Sequence, residues 1–298
     1  MILVIGEVLF DVFPDYRRLG GAAYNFAFHL KKMGFPVRFI SRVGNDTAGH
    51  EILDRLTAHG FDPHEIQIDS DRPTGTVKIS LDAAGVPTFD IVSNVAYDCI
   101  EPSDRVKRAL DLRPRLLYFG SLIQRTPEGQ NNLRKVLREK SSATKTFYDV
   151  NFRPGCYSRE QVMSSLTASD YIKLNDDEVV EIGAMAGQSS DIKTIVAWLI
   201  QQFSIDAVIL TRGESGGDWF SAKAHIPGQP VAAGQLKDTV GAGDAFAAVA
   251  AAGIIQRWDP VKTLSLANGF AARICGVEGA LPPTDAVYAA IKEMIKII

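Results

Sequence analysis

Residues 238–246 carry the side chains best placed to do chemistry: Asp238-Thr239-Val240-Gly241-Ala242-Gly243-Asp244-Ala245-Phe246, followed by the small-residue run 247–253. Two glycines around an alanine, then a carboxylate and a helix-forming run, predict a helix start whose Ala242, Gly243 and Asp244 amides point outward. Such a start binds anions, because its first amides have no intrahelical acceptor and the helix dipole is positive there. A carboxylate in that first turn can accept the proton of a hydroxyl that attacks phosphorus. Gly241, Ala242, Gly243 and Asp244 are therefore the candidate catalytic group, and phosphoryl transfer to an alcohol is the expected chemistry. Taken alone, Gly-x-Gly-Asp also fits a plain turn with Asp244 capping a buried helix.

A group of this kind needs a scaffold. Ile2-Leu3-Val4-Ile5 is a continuous apolar run ending at Gly6, which suits a strand buried on both faces of a parallel sheet. Ligands gather at the carboxyl ends of such strands. Asp11 stands a few residues beyond that end, where its acceptor-only carboxylate suits either two sugar hydroxyls or nearby turn amides. Gly20-Gly21-Ala22-Ala23-Tyr24-Asn25 opens a helix running to Met33. Asn25 is expected to lean back over the glycine pair, whose bare backbone a ligand can approach. Strands at 37–41, 116–119, 146–150 and 207–210 alternate with helices at 48–59, 129–140 and 261–273, which predicts right-handed crossovers and a doubly wound α/β sheet. Residues 72–98 break this pattern. There Thr76, Lys78, Ser80 and Asp82 alternate with Val77, Ile79 and Leu81, and Ala83-Ala84-Gly85 turns into 88–92, a hairpin with one wet face.

Further polar groups fall where strands should end. Asp149-Val150-Asn151-Phe152-Arg153-Pro154 offers Arg153 to a sugar oxygen, a carboxylate, a phosphate or a structural ion pair. Asn175-Asp176-Asp177-Glu178 reads as a cap that complements a helix dipole. Thr211, Gly213 and Gly216 lie in a glycine-rich segment that suits a phosphate-touching loop or a hairpin turn. No Gly-x-x-x-x-Gly-Lys-Ser/Thr loop is present, nor a Gly-x-Gly-x-x-Gly after the first strand, which disfavours P-loop and Rossmann sites.

Composition excludes several classes. A chain of 298 residues with 46% hydrophobic and 22% charged residues and a net charge of −3 is an ordinary globular protein, with nothing to favour nucleic acid or an anionic membrane. Cys99, Cys156 and Cys275 have neither metal-binding spacing nor an even count, and no apolar run is long enough for a membrane span. A cytoplasmic protein is expected.

Residues 238–246 resemble, almost letter for letter, the C-terminal signature of the PfkB/ribokinase family of sugar and nucleoside kinases, and Gly20, Gly21 and Asn25 match its N-terminal signature. The resemblance covers essentially the whole chain. It implies a ribokinase-like fold: a doubly wound, mainly parallel sheet flanked by helices, a single domain over 1–298, and a small β-lid from about 12–19 and 72–98. It further implies ATP as phosphoryl donor, a sugar held by Asp11, Gly20, Gly21, Asn25 and Arg153, and a nucleotide loop at Thr211, Gly213 and Gly216 with Asn268 near adenine. By the same resemblance Asn175 and Glu178 hold Mg²⁺ and phosphate, largely through water, and Asp238 with residues 278–280 forms a site for a monovalent cation such as K⁺.

The stretches 119–122 and 149–153 look most like bacterial fructokinases and their 2-keto-3-deoxygluconate kinase relatives. Fructose, giving fructose 6-phosphate, is the expected substrate. The alternatives are 2-keto-3-deoxygluconate, a nucleoside, or a catalytically silent sensor on the same scaffold. Ala22 stands where ribokinase proper has a lysine, which counts against ribose, and the short 12–19 segment implies a simpler lid. An edge of the hairpin could pair with a second copy to form a homodimer. At an unperturbed pKa near ~3.9 Asp244 would be a weak base, tolerable where a loose transition state asks mainly for positioning.

Overall fold

Alternate residues of the first apolar run point to opposite sides of the sheet, and each side has its own core. In the computed structural model, which describes residues 1–81, 87–188, 191–231, 234 and 236–296, Ile2 and Val4 join one apolar cluster while Leu3 and Ile5 join a second. All four are almost fully buried, worth about 1.5–3 kcal/mol for each side chain.

The chain begins with β1 (Ile2–Ile5), β2 (Leu9–Val12), β3 (Arg17–Gly20), α1 (Ala22–Lys32), β4 (Val37–Gly44), α2 (Thr47–Ala58), β5 (Ile66–Asp69), β6 (Thr76–Leu81) and β7 (Pro87–Ile91). It continues through α3 (Asp104–Asp111), β8 (Leu116–Gly120), α4 (Pro127–Glu139), β9 (Lys145–Asp149), α5 (Arg159–Thr167), β10 (Tyr171–Asn175), α6 (Asp176–Ala186), α7 (Ile192–Phe203) and β11 (Ala207–Thr211). The remainder is β12 (Gly217–Phe220), β13 (His225–Pro227), α8 (Ala242–Gln256), α9 (Pro260–Ile274) and α10 (Ala286–Lys296).

The nine-stranded sheet has the order β13-β12-β11-β10-β9-β8-β1-β4-β5. It is parallel from β11 to β5, and β12 and β13 add an antiparallel edge. From β1 the chain winds outward to β4 and β5, then returns to β8 on the other flank. The carboxyl ends of β1 and β8 therefore form a topological switch point, where an open α/β sheet leaves a crevice.

A separate four-stranded sheet, β3-β2-β6-β7, stands where the lid is expected. Val77 and Ile79 are buried and Lys78 and Ser80 exposed, the one wet face that alternation predicts. The lid takes in more of the amino end than 12–19, because β2 and β3 already pair between residues 9 and 20. Asp11 and Gly20 consequently lie on lid strands rather than in a loop beyond β1. The expected turn at Ala83-Ala84-Gly85 lies outside the described residues.

Helix α8 packs on α1 and α9, and its small residues make that possible. A Cβ on Gly253 would stand 2.5 Å from the Thr263 side chain, closer than non-bonded carbon allows. Every residue from Asp244 to Gly253 is buried, so the carboxylate at the front of α8 is anchored in core rather than on a loop.

Candidate active site

The crevice at the switch point is a cleft of about 990 Å³. Its floor comes from the ends of β1, β8, β9 and β10 and the start of α8, and its roof from lid residues including Asp11, Val77 and Ile91. Asp244, 8% exposed, lines it at the third position of α8. Asn25 Nδ2 donates to Asp244 Oδ2 at 2.8 Å. Asn25 thus reaches across to the candidate catalytic carboxylate, in the cleft that Gly21 also lines. Its Oδ1 is buried without a partner, an acceptor available to a ligand hydroxyl.

Beside this pair lies a second buried set. Lys173 Nζ donates to Asp149 Oδ1 at 3.0 Å, and Tyr118 Oη donates to the other oxygen at 3.3 Å. Burial, and next the charge of Asp149, push the Asp244 carboxyl up to about 7, against the pull of Asn25, Lys173 and Arg153. Burial alone would lower Lys173, but Asp149, Glu178 and Asp244 outweigh it and raise its pKa, so its ammonium persists in the cleft. It points at the helix start: a Cβ on Gly243 would stand 3.4 Å from Lys173 Nζ.

The start of α8 has no side-chain cap. Gly241 supplies a left-handed cap at φ 78°, where a Cβ would also collide with Ala280 at 2.4 Å. The first helical bond runs from Ala245 N–H to Gly241 O at 2.9 Å, and Ala242 N–H turns back to Thr239 O at 3.3 Å. Gly243 and Asp244 therefore carry the freer amides of the first turn, and the anion cradle is narrower than the sequence suggests.

At the opposite wall Asp11 is raised to about 6, chiefly by burial, with Arg153 and Arg18 opposing. Gly20 makes room for it, since a Cβ there would stand 2.6 Å from Asp11 Oδ2. A Cβ on Gly21, at φ 107°, would stand 2.7 Å from the Glu7 carbonyl oxygen, so both glycines of the pair have a packing role, and of the two only Gly21 lines the cleft. Glu7 is buried in the cleft, where burial raises its pKa, and its Oε1 accepts from Ala23 N–H at 3.3 Å. Arg153 is exposed at the cleft mouth, and its charge acts on Glu7, Asp11 and Asp244 together.

The remaining predicted residues do not line this cleft. Asn175 and Glu178 form a reciprocal capping box: Asn175 Oδ1 accepts from Glu178 N–H at 2.9 Å, and Glu178 Oε2 accepts from Asn175 N–H at 2.8 Å. Glu178 Oε1 accepts from Phe152 N–H at 2.8 Å. Thr211 ends β11 opposite Gly217, and Thr211 Oγ1 donates to Leu174 O at 3.3 Å. Gly213 and Gly216 both have positive φ in the turn that follows. Asn268 is buried, donates to Gln229 O at 3.1 Å and packs against Gly216, so these two predicted residues do meet. Asp238 Oδ1 accepts from Val240 N–H and Oδ2 from Gly279 N–H, both at 3.0 Å.

Sequence reasoning missed Lys173, Tyr118, Glu7 and Arg18. A lysine inside the apolar run Ile172-Lys173-Leu174 was a usable signal, because a buried ammonium requires an acidic partner. Among the described residues no group of three or more His, Cys, Asp or Glu side chains could hold a metal ion, and no helix is long and apolar enough to cross a membrane.

Known proteins resemble this chain in sequence and fold. The chain is 29% identical over 290 residues to a fructokinase of Klebsiella pneumoniae, covering 92% of this chain and 91% of that one. It is 26% identical over 266 residues to fructokinase-2 of Oryza sativa subsp. japonica, covering 83% and 77%. Its fold is similar to the crystal structure of a fructokinase with bound ATP from Xylella fastidiosa, with a TM-score of 0.86 at 21% identity over 99% of this chain and 98% of that one. A putative ribokinase II from E. coli, in complex with ATP and Mg²⁺, superposes with a TM-score of 0.80 at 20% identity over 100% and 99%. The family model described as pfkB family carbohydrate kinase matches residues 6–286, and the chain belongs to that family.

Proposed function

We propose that this sugar kinase transfers the γ-phosphoryl group of ATP to the primary hydroxyl of fructose, giving fructose 6-phosphate. The observation that carries the reading is the bond between Asn25 and Asp244, which joins two motifs 219 positions apart in one cleft beside an uncapped helix start. The sugar lies between Asp11 and Asn25 Oδ1, with its primary hydroxyl toward Asp244. That hydroxyl oxygen forms the new bond to phosphorus, the bond from phosphorus to the β–γ bridging oxygen breaks, ADP leaves, and the proton passes to Asp244. A base with a pKa of about 7 is well matched to this task near neutrality, better than an unperturbed aspartate. Gly243 and Asp244 amides and the Lys173 ammonium stabilise charge on the moving group.

The nucleotide lies along Thr211 at the end of β11, Gly213 and Gly216 in the turn that follows, and Asn268 in the middle of α9. Mg²⁺ would neutralise the phosphates near Asn175 and Glu178. Both Glu178 oxygens already accept amide hydrogens, so water and phosphate supply most of its ligands. Fructokinases among the relatives support the choice of fructose.

Arg153 favours a second reading, in which the substrate carries a carboxylate, as 2-keto-3-deoxygluconate does. ADP formation with MgATP and fructose, 2-keto-3-deoxygluconate, ribose or adenosine separates the readings. Fructose should give the highest kcat/KM, and preference for the acid would replace it. Sugar binding without turnover would mark a sensor. A second copy would pair through lid strand β7, an edge strand carrying the exposed Phe89, and the mass in solution tests this.

A further inference from the structure

Arg18 stands on β3 directly opposite Asp11 on β2, so the two side chains share one face of the lid sheet. From there its guanidinium crosses the aromatic rings of its own hairpin to reach residues outside the lid. It pairs with Glu278, comes within 4.0 Å of Asp238 Oδ2 and packs against Gly279, where a Cβ would stand 3.3 Å from it. Aromatic rings fix its course: the guanidinium carbon lies 4.9 Å from the Tyr16 ring centre and 5.4 Å from that of Phe13, and these two rings are stacked.

Asp238 in turn governs the route into the anion cradle. It holds Val240 N–H with one oxygen and Gly279 N–H with the other, clamping the segment before α8 to the turn after α9. Gly241 follows at once, pressed on Ala280. A displaced Asp238 would carry Val240 and Gly241 with it, and the Gly243 and Asp244 amides next. The ion pair itself adds little stability, since Glu278 is 75% exposed and water screens such a pair. Its effect lies in position.

The same corner is where the family resemblance implies a monovalent cation. A bare ion does not fit these residues. Each Asp238 oxygen already accepts an amide hydrogen, and an organic cation from the lid stands at the open side. We propose that Arg18 is a latch: a positioning residue that ties the sugar-facing lid strand to the phosphate cradle and serves as the resident cation there in place of a metal ion. The latch rests on the phosphoryl-transfer reading, because the cradle matters only if an anion is held in it.

The test compares wild type with Arg18→Ala and Arg18→Lys, assayed with MgATP in buffers whose only added monovalent cation is choline, potassium or guanidinium at matched ionic strength. Wild-type turnover should not distinguish potassium from choline. Arg18→Ala should lose about tenfold or more in kcat, as expected of a cradle out of place by an ångström or less, while KM for the sugar changes less than about threefold. Guanidinium or potassium should restore part of that loss, and Arg18→Lys should lie between the two. In the ligand-free protein, amide hydrogen exchange over residues 238–244 should be faster in Arg18→Ala. Potassium stimulation of wild type, wild-type kcat in Arg18→Ala, a loss that neither cation relieves, or unchanged exchange over 238–244 would each overturn the latch. Should Arg18→Ala not fold, Arg18→Lys decides: a partial loss of kcat with faster exchange over residues 238–244 supports the latch, and wild-type kcat, or lost turnover with unchanged exchange, overturns it. A wild type inactive on every sugar counts against the proposed function instead, and the exchange measurement still judges the latch.

Discussion

Two helix starts in this protein carry a buried carboxylate at the same third position, and they behave oppositely. At α6 the residue before the helix is Asn175, and Glu178 reaches back to its amide to close a capping box; its second oxygen takes Phe152 N–H. At α8 the residue before the helix is Gly241 in a left-handed conformation, with no side-chain cap. Asp244 is one methylene shorter than glutamate and turns to Asn25, leaving the first-turn amides for a ligand. The first start is satisfied by its own residues; the second is left incomplete, and it is the one to which the proposed reaction assigns the chemistry. The difference lies in the cap residue, since an asparagine can close the box and a glycine cannot.

The largest effect expected from this contrast is at Asp244. Asp244→Asn should lose about 10²-fold or more in kcat with sugar affinity retained, measured by steady-state kinetics and equilibrium binding. Near-normal turnover would make the two starts alike after all. Gly241→Ala should come next. It demands a left-handed alanine against Ala280, and a roughly tenfold or greater fall in kcat follows if the cradle shifts by an ångström or less.

The stability of Asp244 variants should run against their activity. Its folded pKa of about 7 lies above its unfolded value, so its contribution to stability is fully present below the unfolded pKa and lost as pH rises through about 7. Asp244→Asn removes that loss. It should be more stable than wild type near ~pH 8, by up to about 4 kcal/mol, with little advantage near ~pH 4, as read from denaturant melts at both. The smallest catalytic effect belongs to the satisfied start. Glu178→Gln should cost about 1–2 kcal/mol in a thermal melt and shift the Mg²⁺ requirement only a few-fold, and a collapse in turnover would show that α6 is reactive too.

Much of this was legible in the sequence because it is local. Continuous apolar runs marked β1, β8 and β11, strict alternation marked β6, and Gly-Ala-Gly-Asp marked the start of α8. The pairing of distant groups was not legible. That Asn25 would find Asp244, that Lys173 would serve Asp149 beside Gly243, and that Arg18 would cross from the lid to Asp238 depend on how the sheet winds about its switch point, and no spacing along the chain records them. The raised pKa of Asp244 escaped for the same reason, since it follows from burial and from a neighbour on β9. Glu178 shows the converse: its motif reads as a cap and as an ion ligand alike, and the capping bonds are in place.

The contact between Asn25 and Asp244 joins residues 219 positions apart. During synthesis the amide is made long before the carboxylate that it meets. On the proposed mechanism, competence then awaits the insertion of α8 beside α1, so a chain not yet made past α8 cannot squander nucleotide.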